Sequence, residues 1–407
     1  MEEDPSSKED NNPQILKVLE VLKQASHDLQ TNPSPHSDQP TSPAIKALLE
    51  LETESDAILS TDPNLSTLSL HLSNLKSLVE TLQKTRGHHS LRSFLTRRAS
   101  THSISRLAGS IESEIQAWID RESIENLSRA LQEPFTNNKN EDEKLIKVLT
   151  QFETRVSQGF NRDLQDLILK WKLFTSLESI LCNEKCPRRI REHAAFAVGA
   201  LIRFNKDVFV GQVLMGRTIQ ALITMGSASS IRVLCSLIKS IKSPLVDEIE
   251  CNGEIPKIIS FLDSEEPEIR IAAMDCVLEI GYFGRKEAIE AMLKEGLIKK
   301  LVELQRSELG GDLIDVGRFE EGETRGVSVG GVAGEGKREC RERRFLECHP
   351  FASCVARFAV QLEVGEGLRQ RERRDFKQEI LARVREASVS DAEAATIVAE
   401  VLWGSSP

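Results

Sequence analysis

Apolar residues recur along most of the chain at steps of three and four, the spacing that gathers them on one face of an α-helix. Ile15, Val18, Leu22, Ala25 and Leu29 form such a stripe over residues 14–30. Pro33, Pro35, Pro40 and Pro43 then interrupt the pattern and predict a linker. Helices are predicted again over 43–59 and, after the Asp62-Pro63 start signal, over 64–84, where Leu65, Leu68, Leu72, Leu75, Val79 and Leu82 keep the period. A further helix over 103–132 carries Ile104, Leu107, Ile111, Ile115 and Trp118 on one stripe. Residues 14–133 therefore read as an antiparallel helical bundle, preceded by a polar, disordered segment over 1–13.

From about Leu145 the pattern acquires a longer period. An isoleucine, an arginine and a small residue three further on occur as Ile190, Arg191 and Ala194, as Ile231, Arg232 and Cys235, and as Ile269, Arg270 and Ala273. The arginines lie about 40 residues apart, a spacing that belongs to stacked helical repeats. A short apolar helix is predicted before each of them, over 173–181, 218–225 and 255–262. Another short helix is predicted earlier in each unit, closed by Gly216, Gly253 or Gly296 in the left-handed conformation that ends helices. Each unit thus has three helices, and alanines such as Ala194, Ala195, Ala272 and Ala273 keep the third one slim enough for close packing. Arg191, Arg232 and Arg270 read as structural repeat positions, with stems over apolar surface and guanidinium groups reaching water or a carboxylate on the preceding unit.

The stretch GEIPKIISFLDSEEPEIRIAAMDCVLEIG, residues 253–281, resembles an armadillo repeat, and EGLIKKLVELQRS, residues 295–307, resembles the start of the next. The resemblance covers residues 160–307 and implies an all-α chain, an N-terminal helical bundle followed by an armadillo-type α-solenoid over 145–307. HPFASCVARFAVQLEVG, residues 349–365, fits the displaced third helix of a fourth unit. Residues 308–345 read as a disordered loop rich in glycine, glutamate and arginine, and residues 346–403 as a closing repeat helix with two capping helices. The second of these starts at Ser390, with Glu393 three residues on completing a capping box. A helical bundle followed by repeats is similar to the layout of plant U-box ubiquitin ligases, but the short segment between Glu133 and Leu145 has no room for a U-box.

Many armadillo proteins hold an extended peptide through asparagines late in their third helices. Counting the same distance from each arginine places the corresponding groove positions here at Ala200, Ile241 and Glu279, none of which is asparagine. The resemblance implies a non-catalytic scaffold for protein partners, in the cytoplasm or nucleus of a plant cell. A substrate-recruiting adaptor beside U-box-type ligases is the alternative.

Charge narrows the partners. A net charge of −10 and a pI near 5.5 argue against a general nucleic-acid binder, whose surface must be basic. The apolar run over 194–202 falls far short of the roughly 20 residues of a bilayer span, so no transmembrane segment is expected. The N-terminus lacks the basic start and apolar core of an export signal, so the eight cysteines are expected as reduced thiols.

Local motifs carry little chemistry. Gly331, Gly336 and Lys337 have the spacing of a phosphate-binding loop, but Arg338 stands where a magnesium-binding Ser or Thr is needed. Cys340, Cys348, His349 and Cys354 match no zinc-ligand spacing. No catalytic residue, cofactor or metal is expected. The most unusual stretch is residues 81–111, with Lys84, Arg86, Arg92, Arg97, Arg98 and Arg106 and no acid. Its centre, over 84–103, reads as a basic loop. Arg97-Arg98-Ala99-Ser100 resembles a basophilic kinase site, making Ser100 a candidate phosphorylation site, while residues 84–106 are a weaker candidate for peripheral binding to anionic membranes.

Overall fold

The computed structural model describes residues 66–85, 91–132, 139–311 and 344–403, together with six helical positions between Leu19 and His27. Every regular element among them is helical. Two compact units emerge, residues 1–130 with 161–171, and residues 131–160 with 172–407. The boundary is therefore not the single break expected between 133 and 145. A helix from the repeat region joins the first unit.

The first unit contains α1 (Ser66–Thr85), α2 (Leu91–Gln132) and, later in the chain, α4 (Arg162–Lys170). Leu68, Leu72 and Leu75 of α1 are buried, as are Ile104, Ala108, Ile111, Ile115 and Trp118 of α2. The α2 helix starts at Leu91, not at 103. The expected basic loop over 84–103 is thus a correction: only 86–90 separate α1 from α2, and arginine supports a helix once the flanking turns are formed. Lys23 bonds Gln116, whose amide donates to the buried Asp120 at 2.6 Å, fixing the described part of the 14–30 helix. The helix over 43–59 and the proline linker lie outside the described residues.

The second unit is built in layers. It begins with α3 (Lys139–Ser157) and continues with α5 (Leu173–Cys182), α6 (Arg188–Phe204), α7 (Lys206–Met215), α8 (Thr218–Met225) and α9 (Ala228–Ile241). Next come α10 (Ser243–Cys251), α11 (Ile255–Ser260) with a tight turn over Phe261–Asp263, α12 (Pro267–Phe283), α13 (Lys286–Lys294) and α14 (Leu297–Arg306). The last are α15 (Cys354–Val364), α16 (Gln370–Ala387) and α17 (Asp391–Trp403).

The third helices α6, α9, α12 and α15 pack side by side in chain order, with α3 before α6. The first helices α7, α10 and α13 form a parallel row, and α5, α8, the Phe261–Asp263 turn and α14 pack under their own third helices. This is an armadillo-type α-solenoid. Buried Leu, Ile, Val and Ala side chains run through successive layers as one continuous apolar spine. Among the described residues no single helix is long and apolar enough to cross a membrane, and the apolar pair α7–α8, bent by 69°, sinks Phe209, Val213, Ile219 and Leu222 into this spine.

Two of the three expected glycine stops are left-handed, Gly253 (φ 67°) and Gly296 (φ 76°). Gly216 is extended instead (φ −92°, ψ −168°), and the Glu178 carboxylate occupies the place a Cβ would take. Glu178 accepts hydrogen bonds from the Arg217 N–H and the Thr218 hydroxyl, both at 2.8 Å, and so caps α8 from the preceding layer.

The fourth layer is interrupted in sequence but continuous in packing. Residues 308–311, expected within a disordered loop, are anchored: Phe351 N–H donates to Leu309 O at 3.1 Å and Ser353 N–H to Gly311 O at 2.9 Å. Residues 344–348 are helical, and 312–343 lie outside the described residues. The closing helices α16 and α17 pack on α14 and α15. Arg373 donates to the carbonyls of Glu363, Gly365 and Leu368, closing the C-terminus of α15. Buried Glu400 accepts from Gln305 at 2.9 Å and Ser353 at 2.6 Å.

Candidate functional site

A solenoid of this kind exposes one long edge of its third helices, and side chains there lie in register from layer to layer. Arg203 of α6 donates to the Ser236 hydroxyl of α9 at 3.0 Å. Lys239 of α9 meets Glu279 of α12 at 3.1 Å, and Arg232 of α9 meets Glu268 of α12 at 3.6 Å. These polar ties bridge adjacent third helices without closing the surface between them, since Lys239 and Arg232 stay 61% and 57% exposed. Solvated pairs of this type add little stability and exchange partners readily.

Aromatic side chains interrupt the charged face. Half-exposed Phe196 lies edge-on to His193, with ring centroids 6.0 Å apart, and Tyr282 lies edge-on to Phe283 at 4.7 Å. Gly281 lets α12 approach α15, for a Cβ there would meet the Phe358 ring at 3.0 Å. At the far ends of the helices, Lys242 takes a left-handed backbone (φ 70°), sits 5.6 Å from the Phe283 ring centroid and pairs with Glu366 at 3.0 Å.

The charges are mutually tuned. Partial burial works to lower the Lys239 ammonium, but the Glu279 hydrogen bond and carboxylate outweigh it and the net shift is upward. Desolvation raises the Asp275 carboxyl, against the opposing pull of Arg357, Lys239 and Arg232. Asp275 thus sits between cations of the layers on either side.

Of the expected groove positions, only Glu279 reaches this face. Ala200 and Ile241 are buried at 1% and 5% exposure, a correction with a simple cause. Nine residues past an arginine is about two and a half helical turns, so the count lands on the side of the helix opposite that arginine, and for Arg191 and Arg232 that side packs against neighbouring helices. The residues that do face outward, Arg203, Ser236 and Lys239, were missed for the same reason. Their signal is the outward-facing period within each helix.

The repeat arginines are not equivalent. Arg191 Nε donates to the Leu181 carbonyl at 3.0 Å within its own layer, and the Arg270 guanidinium lies 5.7 Å from the Phe351 ring centroid. Arg232 reaches Glu268 of the following layer, whereas a carboxylate of the preceding one is expected; α9 packs directly against α12, whose first turn carries that acid. Ser100 lies within α2, not in a loop.

Among the zinc candidates, Cys354 is fully buried with its thiol on the Leu301 carbonyl at 3.0 Å, while Cys348 is exposed. Cys340 and the Gly331–Lys337 motif lie outside the described residues. No group of three or more His, Cys, Asp or Glu side chains suited to a metal occurs among the described residues.

No protein-family model and no curated protein matches the chain. Solved structures do. A designed armadillo repeat protein aligns at 14% identity and a TM-score of 0.40 over 68% of this chain and 98% of that one. A second designed armadillo repeat protein, in complex with the peptide (KR)4, aligns at 14% identity and 0.40 over 69% and 98%. Computationally designed armadillo repeat proteins for modular peptide recognition align at 14% identity and 0.40 over 68% and 98%.

Proposed function

We propose that the chain is a non-catalytic scaffold that binds a segment of a partner protein along the exposed edge of α6, α9, α12 and α15. The observation that supports this reading is the set of ties from Arg203 to Ser236 and from Lys239 to Glu279, which keep polar side chains of successive layers aligned and solvated on one continuous face. Such a face presents regularly spaced donors, acceptors and aromatic edges to an extended chain, whose own backbone groups need partners when it is taken out of water.

Peptides selected from a random library on the purified chain, then mapped by hydrogen–deuterium exchange, test the reading. Protection is expected in α6, α9 and α12. Protection confined to the opposite row, α7, α10 and α13, would refute it. The finer alternative, an adaptor delivering substrates to U-box-type ligases, rests on the likeness of layout alone, and purified components test it: ubiquitin transfer to a bound protein should require an added ligase.

A further inference from the structure

The charge on the third-helix face is unevenly divided. Helices α6 and α9 carry Arg188, Arg189, Arg203, Arg232 and Lys239 against Glu192 as their one acid, leaving aside Arg191, which turns to the Leu181 carbonyl of its own layer. On one side α3 is balanced, its four cations matched by Glu141, Asp142, Glu143 and Glu153. On the other side α12 reverses the sign, with Glu268, Asp275 and Glu279 against Arg270. The basic band is therefore bounded on both sides.

The cations of this band remain available. Arg188, Arg232 and Lys239 are 56%, 57% and 61% exposed, although each pairs with a carboxylate. Packed helices stand about 8–10 Å apart, close to the roughly 8 Å Debye length at physiological ionic strength, so the fields of α6 and α9 overlap over the surface. The chain as a whole is acidic, at −10, which makes the band a local exception and disfavours a polyanion as long as a nucleic acid.

We infer that the α6–α9 part of this face docks a short aspartate- or glutamate-rich segment of a partner protein, with the acidic α12 setting the limit of the acidic run. This rests on the scaffold reading above. A segment crossing two helices at about 3.3 Å per residue needs only about four to six residues in contact. Lys239 and Arg232 already pair with carboxylates at 3.1 and 3.6 Å, those of Glu279 and Glu268. A bound acidic segment takes over these partners, and the internal acids act as its competitors.

That competition supplies the test. Fluorescent octapeptides of glutamate, glutamine and lysine, and an eight-residue oligothymidylate, are titrated against the full chain by anisotropy. The glutamate peptide is expected to bind best, more weakly as salt rises. Removing two cations in Arg203→Gln/Lys239→Gln should weaken it about tenfold, each exposed pair being worth a factor of several. Glu279→Gln and Glu268→Gln should tighten it, a gain that loss of folding cannot produce. Arg188→Gln/Arg189→Gln is the second weakening pair should the first not fold, and Arg97→Ser/Arg98→Ser in the other unit should change nothing. Equal binding of the glutamate and glutamine peptides, unchanged affinity in both glutamate variants, or tighter binding of the oligonucleotide overturns the inference. Library peptides that map to this face without acidic residues would sink it while leaving the scaffold reading intact; peptides that map elsewhere would remove both.

Discussion

The carboxylate of Glu178 and the hydroxyl of Thr218 lie 2.8 Å apart, one at the middle of α5 and the other at the first residue of α8 in the next layer. A helix start exposes backbone N–H groups that need an acceptor, and here the neighbouring layer provides it. Glu178→Ala is expected to lower stability by about 1–2 kcal/mol, as for loss of a helix cap. Chemical denaturation measures it, and Glu178→Gln should lose less because an amide oxygen can still accept.

The turn over Gly365, Glu366 and Gly367 is pressed against the end of α12. Glu366 N–H donates to the Tyr282 carbonyl at 2.8 Å, and a Cβ on Gly367 would stand 2.0 Å from the Gly284 oxygen. Backbone cannot retreat as a flexible side chain can. Gly367→Ala should therefore cost about 1–3 kcal/mol, seen as a lower melting temperature.

Thiol chemistry will divide the cysteines by depth. Burial pushes the Cys186 and Cys354 thiols up to about 12, leaving at pH 8 only about one thiolate in ten thousand. Iodoacetamide at that pH should label exposed Cys348 in the native protein and reach Cys186 and Cys354 only after denaturation, as peptide mass spectrometry will show.

At the closing helices, Arg306 holds Glu393 through two hydrogen bonds of 2.8 and 2.9 Å. The Arg306 contact lowers the Glu393 carboxyl below its ordinary value of 4.5, burial opposing and the Val389 N–H assisting. A depressed carboxyl contributes stability that is full above the unfolded value and is lost as pH falls through the folded one. Melting followed at pH 6 and pH 3 should show the difference between wild type and Arg306→Gln shrinking at the lower pH. The partners are solvent-accessible, so the effect will be small and salt-sensitive.

Ser100 is proposed as a kinase substrate on the strength of Arg97 and Arg98 before it. Incubation with a basophilic kinase should place phosphate on it, and Ser100→Ala should abolish that incorporation. Because residue 100 lies within α2, the added charge of about −1.5 to −2 is expected to lower helicity around it, measurable by exchange of its amides.

Much of the layered architecture was legible from three arginines and the apolar helices before them; α8 was placed at its observed bounds, 218–225. Residues 91–103 read as a loop because of an acid-free run beside Gly87, His88 and His89, whereas Leu91, Phe94 and Leu95 continue a helical period into it. The candidate face was less legible still. Which of Ala200 and Arg203 turns outward depends on how α6 is rotated against its neighbours, which a repeat period does not contain.

The connection from α14 to α15 runs from Ser307 to Ser353, while α8 and α9 are joined through Gly226 and Ser227 alone. Closing a longer connection costs more chain entropy, at about 0.6 kcal/mol per doubling of length. Assembly should accordingly run outward from the α8–α9 hairpin, with α15, and the helices α16 and α17 that pack on it, joining late on the pathway.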